Sequence, residues 1–159
     1  MEQLFIESFE SPVGHIQISA TAEAISSILF VEAPSVEQSP SPLTQKAIEE
    51  LQDFFRGGRT EFTLQLEPQG TAFEKQVWQE LTSIPFGATC SYLDIARRLN
   101  NLGAIRAVGR ANGANPIAIV IPCHRVIGSD GSLTGYGGGL WRKRWLLDHE
   151  ARVAGSVLF

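Results

Sequence analysis

The sequence has few of the residues that build disulfide-stabilised, metal-binding or membrane-spanning proteins. Its 159 residues include two cysteines, Cys90 and Cys123, and three histidines. That is too few for a disulfide framework, and their spacing does not suit a four-ligand zinc site. No apolar run approaches the roughly 20 residues of a membrane-spanning helix, and the acidic start MEQLFIESFE does not resemble a secretory signal. We therefore expect a reduced, cytoplasmic protein with no metal, no cofactor and no membrane association.

Charge is unevenly distributed along the chain, although its net value is only −4. Residues 1–70 contain 3 basic and 11 acidic side chains, whereas residues 71–159 contain 10 basic and 6 acidic ones. A polyanion is attracted to the second half and repelled by the first. The asymmetry indicates a nucleic-acid partner, and two solvated faces of opposite sign are the alternative.

The expected fold class is α/β (α+β), and residues 1–69 are predicted to form its small N-terminal scaffold module. Three segments alternate or run apolar between polar breaks, as in a three-stranded antiparallel meander: 3–9, 15–20 and 25–31. Apolar residues then recur at helical spacing from Leu43 to Phe55, and residues 60–66 resemble a further strand. This module contains no cysteine and one histidine, so we place no chemistry in it.

Residues 70–159 are predicted to form a mainly helical C-terminal domain. Thr71 and Glu74 have the spacing of a capping box at the start of a helix that extends to about Pro85. Two short helices joined by a glycine-containing turn resemble a helix-turn-helix over about 92–113. A last helix is predicted over about 140–150, with Trp141 and Trp145 packed in the core.

The second helix of this pair is rich in alanine and glycine and carries Arg106 and Arg110 four residues apart. Small residues allow close approach to a neighbour, and arginines on one face attract phosphate. A helix that enters a nucleic-acid groove fits this composition. A tightly packed core helix with two solvated arginines is the alternative.

Cys123 and His124 follow an apolar run, 117–121, that is predicted to be a buried strand. A cysteine becomes a nucleophile when its thiolate is stabilised, for example by a neighbouring histidine. Adjacent side chains of an extended segment point to opposite faces, so contact requires a backbone turn near Pro122 or a bridging water. A histidine base also needs an orienting carboxylate. Three candidates for that carboxylate stay open: Asp130, Asp148 and Glu150.

Over about residues 70–150 the sequence resembles the O6-alkylguanine-DNA alkyltransferases, also called methylated-DNA–protein-cysteine methyltransferases. The resemblance is carried by GTAFEKQVWQELTSIPFGATCSY, by SYLDIARRL with AIRAVGRANGANP, and by NPIAIVIPCHRVIGSDGSLTGYGGGLWRKRWLLDHE. It implies DNA repair by irreversible, single-turnover transfer of the alkyl group from O6-alkylguanine, and from O4-alkylthymine, to Cys123. It further implies that the damaged base is flipped through the minor groove into a protein pocket.

The resemblance also implies roles for individual residues. Cys123, with its sulfur held ionised, is the acceptor, His124 removes its proton through a water, and Glu150 orients His124. Tyr92 hydrogen-bonds the flipped guanine, and Asn115 joins the helix to the active-site strand. Further DNA contacts are expected from Arg106, which fills the gap in the duplex, and from Ser91, Ala104, Ala107, Arg110, Ala111 and Arg125. The pocket around the guanine is expected to contain Tyr136, Val126, Ser129, Thr134, Gly135 and Gly137.

Double-stranded DNA carrying alkylated bases is the implied partner, for a monomer without an obligate protein partner. Two other functions fit a helix-turn-helix. A protein that only flips and marks alkylated bases lacks the acceptor cysteine in its known form, so Cys123 argues against that function. A regulator that senses alkylation through the cysteine needs a further DNA-binding or activation module, and none is recognisable in 159 residues.

Overall fold

The computed structural model describes residues 3–34 and 37–157, with side chains described as far as Gly155. Its contacts divide the chain into two compact units. The first comprises the chain up to Gln69 together with Pro116–Ala118, and the second comprises Gly70–Asn115 and the chain from Ile119 onward. Within the described residues, no helix combines the length and the apolar character needed to cross a membrane.

The first unit is a three-stranded sheet packed against one helix. Strands β1 (Phe5–Ser11), β2 (Gly14–Ala20) and β3 (Ile25–Val31) pair antiparallel in the order β1-β2-β3, which confirms the predicted meander. Helix α1 (Pro42–Phe55) begins with a capping box between Ser41 and Thr44. Its apolar face, including Leu51 and Phe54, is buried. The core of the unit lies between this face and the sheet.

The strand predicted over residues 60–66 is wrong. Only Leu66 forms a bridge, to Ile25 of β3. Upstream of it, the Thr63 N–H donates to the Glu50 carboxylate of α1 at 2.8 Å. The Glu50 side chain thus accepts from a backbone N–H that would otherwise pair within a sheet. For this reason the alternating pattern of the segment does not produce a strand.

The second unit is built from four helices and a short parallel strand pair. Its helices are α2 (Ala72–Leu81), α3 (Tyr92–Arg98), α4 (Ile105–Gly113) and α5 (Leu140–Val157), and its strands are β4 (Cys90–Ser91) and β5 (Val126–Ile127). The capping box of Thr71 and Glu74 is present, but α2 ends at Leu81, four residues before Pro85. Ser91 caps α3, and a single 3-10 turn, Leu102–Ala104, connects α3 to α4.

Two expectations about this half of the chain are wrong. Residues 117–121 do not form a strand, because only Ile117 makes an isolated bridge, to Ile28, and residues 118–120 form a turn. In this turn Ile119 has a left-handed φ of 71° although its side chain is β-branched. The prediction that Trp141 packs in the core is also wrong, because its side chain is 55% exposed on α5. The residues that α5 buries are instead Lys143, Leu146, His149 and Glu150.

Candidate active site

A tight turn places Cys123 and His124 at the centre of the second unit. Residues Cys123–Arg125 form one 3-10 turn after Pro122, closed by a 3.0 Å hydrogen bond from the Arg125 N–H to the Pro122 carbonyl. All three side chains of the turn are buried, and Cys123 is 6% exposed. The turn removes the alternation of an extended chain, so neighbouring side chains no longer need to point to opposite faces.

Glu150 of α5 organises the groups behind this turn. Its Oε2 lies 2.7 Å from His124 Nε2 and its Oε1 lies 2.8 Å from Arg125 Nε. The Gly87 N–H donates to Oε1 at 3.2 Å. Burial by itself favours the protonated acid, but the hydrogen bonds from His124 and Arg125 and the positive charge of Arg125 outweigh it and hold the pKa of Glu150 at about 2. Glu150 is therefore a carboxylate at neutral pH.

The contact with Glu150 decides which nitrogen of His124 carries the proton. A carboxylate only accepts hydrogen bonds, so Nε2 is the donor and Nδ1 keeps its lone pair. Nδ1 is buried and has no hydrogen-bond partner among the described residues. Burial lowers the pKa of His124, although Glu150 opposes the shift. The imidazole is consequently neutral at neutral pH and offers Nδ1 as a base.

Arg125 does not have the place that the sequence predicted for it. The prediction that it contacts DNA is wrong, because its buried guanidinium is fully engaged inside the unit. Two of its nitrogens donate to Glu150, at 2.8 and 2.9 Å, and the third donates to the Ile84 carbonyl at 2.7 Å. Arg125 instead supplies the positive charge that balances Glu150.

The Cys123 sulfur lies among polar groups, not in a purely apolar core. Burial is the largest influence and raises the pKa of the thiol, while a hydrogen bond from Asn115 and the positive charge of Lys143 lower it. The expectation of a sulfur held ionised is therefore wrong for this structure, since the resting group is a neutral thiol. Asn115 also donates to the Ile121 carbonyl at 2.8 Å, which fixes the approach to the turn.

The hydroxyl of Tyr92 and the ammonium of Lys143 meet at one backbone carbonyl. Tyr92 Oη lies 3.2 Å and Lys143 Nζ 2.8 Å from the Thr134 oxygen, and Nζ also lies 3.4 Å from the Gly135 oxygen. Burial raises the pKa of Tyr136 well above its ordinary value, and ionisation of Cys123 would raise it further. Thr134 and Gly135 thus connect the start of the loop before α5 to α3 and α5, and Tyr136 follows them directly in the chain.

Two of the expected pocket residues are not brought to Cys123. Val126 has no exposed surface and pairs with Cys90 in the parallel ladder, so it cannot line an open pocket. Ser129 lines a different cavity of about 390 Å³, together with Cys90, Asp94 and Arg97. Gly137 lies near the end of α4, where a Cβ would be 3.9 Å from the Gly113 carbonyl.

Helix α4 presents one exposed face and one buried face. Arg106, Arg110 and Gly113 are exposed at i, i+4 and i+7. Ala104 and Ala107 are half-buried, and so is Ser91, whose hydroxyl accepts from the Asp94 N–H. The prediction that Ala111 contacts DNA is wrong, because Ala111 is 2% exposed and its carbonyl accepts from Trp78 Nε1 at 2.8 Å.

Sequence reasoning missed two buried polar residues of this site. Asn112 of α4 donates to the Cys123 carbonyl at 3.3 Å and supports the turn from behind. Lys143 is fully buried on the face of α5 that also carries Leu146 and Glu150. Residues 143, 146 and 150 are spaced so that they lie on one face of a helix. A lysine on the same face as an apolar leucine was therefore the signal in the sequence that Lys143 is buried.

Comparisons with known proteins show the family of this chain. The family described as "6-O-methylguanine DNA methyltransferase, DNA binding domain" matches residues 72–152. A methylated-DNA–protein-cysteine methyltransferase of Mycobacterium tuberculosis is 44% identical over 156 residues, covering 95% of this chain and 94% of its own length. One from Methanosarcina acetivorans is 40% identical over 153 residues, covering 92% of this chain and 98% of its own length.

Solved structures give the same result for the fold. The crystal structure of Mycobacterium tuberculosis OGT in complex with DNA has a TM-score of 0.85 at 43% identity and covers 93% of both chains. The O6-methylguanine methyltransferase of the same organism has a TM-score of 0.85 at 41% identity and covers 94% of both chains. The fold and the matched relatives define a protein-cysteine methyltransferase. This chain belongs to the methylated-DNA–protein-cysteine methyltransferase family.

Proposed function

We propose that this protein repairs O6-alkylguanine in double-stranded DNA by moving the alkyl group to the Cys123 sulfur. The observation that carries the proposal is the buried relay behind that sulfur. A Glu150 carboxylate lies 2.7 Å from Nε2 of a neutral His124, whose buried Nδ1 has no hydrogen-bond partner among the described residues. A buried carboxylate that orients a histidine next to a cysteine suits nucleophilic catalysis better than it suits packing.

The first step in this proposal is removal of the thiol proton. The resting thiol is neutral, so the proton of Cys123 passes through a water to Nδ1 of His124. The imidazolium that forms is stabilised by Glu150, which stays ionised because its pKa is held at about 2. Asn115 and Lys143 stabilise the resulting thiolate, since both lower the pKa of Cys123.

The second step exchanges a carbon–oxygen bond for a carbon–sulfur bond. The thiolate attacks the alkyl carbon, the bond from that carbon to O6 breaks, and its electron pair passes to the guanine ring. Tyr92 gives a proton to N3 of the leaving guanine. The proton that His124 took from Cys123 then passes through solvent to Tyr92 and restores its hydroxyl. Tyr92 now bonds to the Thr134 carbonyl at 3.2 Å, so its hydroxyl has to leave that acceptor when the base enters. Loop N–H groups of residues 134–137 are proposed to donate hydrogen bonds to O6.

DNA is proposed to bind at the exposed face of α4. Arg106 and Arg110 attract phosphate there, and the absence of a side chain at Gly113 leaves open space, since a Cβ would meet no atom within 4 Å. A helix of low bulk fits the minor groove. An atom inside a stacked pair cannot be reached by Cys123, so the alkylated base is flipped out and Arg106 occupies the gap.

Each molecule is proposed to react once. The product is a thioether, which contains no easily expelled group. No base is available to cleave its carbon–sulfur bond and regenerate the thiol. The same chemistry applies to O4-alkylthymine, in which an alkyl group is likewise bonded to an exocyclic ring oxygen. The protein is then consumed in proportion to the lesions that it repairs.

A transfer assay tests the proposal. An oligonucleotide with labelled O6-methylguanine is incubated with the wild-type protein, with Cys123→Ala and with the matched control Cys90→Ala, which removes the other buried thiol. We expect stoichiometric labelling of the wild type and of Cys90→Ala, and none of Cys123→Ala. DNA binding without labelling of any protein would overturn the proposal and favour a protein that only recognises the lesion.

A further inference from the structure

The start of α5 carries an exposed aromatic side chain that the proposed chemistry does not use. All three tryptophans lie within the described residues, and Trp141 is 55% exposed, whereas Trp78 is buried and Trp145 half-buried. The neighbouring Leu140 is 48% exposed. Single exposed apolar side chains are ordinary, but two large ones side by side form a patch, and tryptophan is enriched among the residues that dominate binding interfaces.

The Trp141 indole is held in place by its neighbours. The guanidinium carbon of Arg142 lies 4.5 Å from the centre of the ring, and Arg142 Nη1 donates to the Gly138 carbonyl at 2.7 Å. The backbone of Gly139 also approaches the indole, since a Cβ at that position would lie 3.4 Å from Trp141 Cδ1. A side chain that is fixed before binding loses little conformational entropy when a partner packs on it.

The loop that holds this indole borders the exposed face of α4. Gly137 approaches the end of α4, since a Cβ there would lie 3.9 Å from the Gly113 carbonyl. Gly113 belongs to the exposed face that also carries Arg106 and Arg110. The Cα atoms of Gly137 and Gly139 are at most about 8 Å apart, because two peptide units join them. The apolar patch therefore continues the proposed DNA-binding face.

The charges at the start of α5 favour a polyanion. The first turn of α5 contains no acidic side chain. Arg144 is exposed three residues after Trp141 and therefore lies on the same side of the helix, and the nearest carboxylate along α5 is Asp148, one turn further on. The positive end of the helix dipole adds to this charge. An apolar ring beside positive charge matches a DNA strand, in which deoxyribose rings alternate with phosphates.

We infer that Trp141 is a DNA contact, whose indole packs on a deoxyribose beside the lesion while Arg144 attracts the adjacent phosphate. The inference rests on the proposed function, because it extends the proposed DNA-binding face of α4 to the start of α5. Contacts to sugar and phosphate fix the position of a duplex but carry no sequence information. Trp141 therefore holds the DNA during base flipping without selecting a sequence.

The first test is quenching of tryptophan fluorescence by acrylamide, a neutral quencher that DNA does not repel. The contribution of Trp141 is the difference between the wild type and Trp141→Phe, because Trp78 and Trp145 are less exposed. The titration uses an unmodified duplex, so no alkyl transfer is involved. We expect saturating duplex to reduce the quenching of the wild type to the level of Trp141→Phe.

The second test is the affinity for the same duplex, measured by fluorescence anisotropy of labelled DNA at several salt concentrations. Trp141→Ala should weaken binding about fivefold or more, the loss typical of a truncated interface tryptophan. The slope of log affinity against log salt should stay the same in this variant and fall by about one in Arg144→Met. The control Leu29→Ala removes an exposed apolar side chain from β3 of the first unit and should bind as the wild type does.

Equal affinity of Trp141→Ala and the wild type, or unchanged quenching of the wild type on duplex binding, would overturn the inference. If Trp141→Ala kept its affinity for DNA and instead lost self-association in sedimentation velocity, the patch would belong to an interface between copies, which also overturns it. A wild-type protein that binds no duplex would refute the proposed function. A wild-type protein that binds duplex and leaves Trp141 accessible to acrylamide would refute the inference alone.

Discussion

Replacing Glu150 by glutamine tests the buried relay through its effect on stability. The carboxylate accepts from His124, from Arg125 and from the Gly87 N–H. Its pKa falls from 4.5 to about 2 in the folded protein, so the folded state favours the ionised form by about 3 kcal/mol. Because the folded pKa is below the unfolded one, this stabilisation is present above pH about 4.5 and is lost as the pH falls toward about 2.

Glu150→Gln should therefore reduce the free energy of unfolding at neutral pH by about 3 kcal/mol or somewhat more, because Arg125 stays buried without its partner. It should also flatten the dependence of stability on pH between about 4.5 and 2. Urea denaturation of the wild type, Glu150→Gln and Asp148→Asn across this range measures both effects. Asp148 is an exposed carboxylate on the same helix and serves as the control. Equal pH dependence in Glu150→Gln and the wild type would refute the reasoning.

Three further predictions concern DNA, packing and backbone geometry. Arg106→Ala should weaken DNA binding severalfold and slow alkyl transfer much more, and Arg152→Ala, at another exposed arginine, is the control. Titration measures the affinity and quench-flow the transfer rate. Equal losses of affinity and rate would contradict a role of Arg106 in base flipping. Trp78→Phe removes the 2.8 Å bond to the Ala111 carbonyl and should cost about 1 kcal/mol in urea denaturation, whereas an unchanged midpoint would show that the bond contributes nothing. Gly87→Ala combines a φ of 82° with a Cβ only 2.8 Å from that of Ala154, so it should destabilise by more than the about 1 kcal/mol expected from the backbone alone. Gly131→Ala has a similar φ with no atom within 4 Å, and an equal cost for both substitutions would contradict the steric part.

Local signals in the sequence predicted most of the secondary structure. The capping residues of α2 and α3 lie within three residues of their partners, and alternation defines the meander, so both could be recognised without tertiary information. The strands predicted over 60–66 and 117–121 are absent because a hydrogen bond to Glu50 and the left-handed backbone of Ile119 decide the conformation of these segments. A local sequence pattern shows neither the hydrogen bond nor the backbone angle.

The site was predicted less completely than the fold. A short motif marked Cys123 and His124, but the alternatives to Glu150 could be removed only by the 2.7 Å contact in the structure. Arg125 and Ala111 were wrongly predicted to contact DNA, because a sequence does not show which face of a turn or helix is buried. Lys143 was missed for the opposite reason, since lysine is usually exposed and its burial depends on carbonyls of the preceding loop whose direction the sequence does not show.

The central claim is that the Cys123 sulfur accepts the alkyl group once. The most direct measurement is the intact mass of the protein after reaction with excess O6-methylguanine DNA, followed by mapping of the modified peptide. The account predicts a gain of one methyl group per molecule, located on Cys123, with no further gain as more DNA is added. Methyl on Cys90, or turnover of DNA with no gain in protein mass, would contradict it.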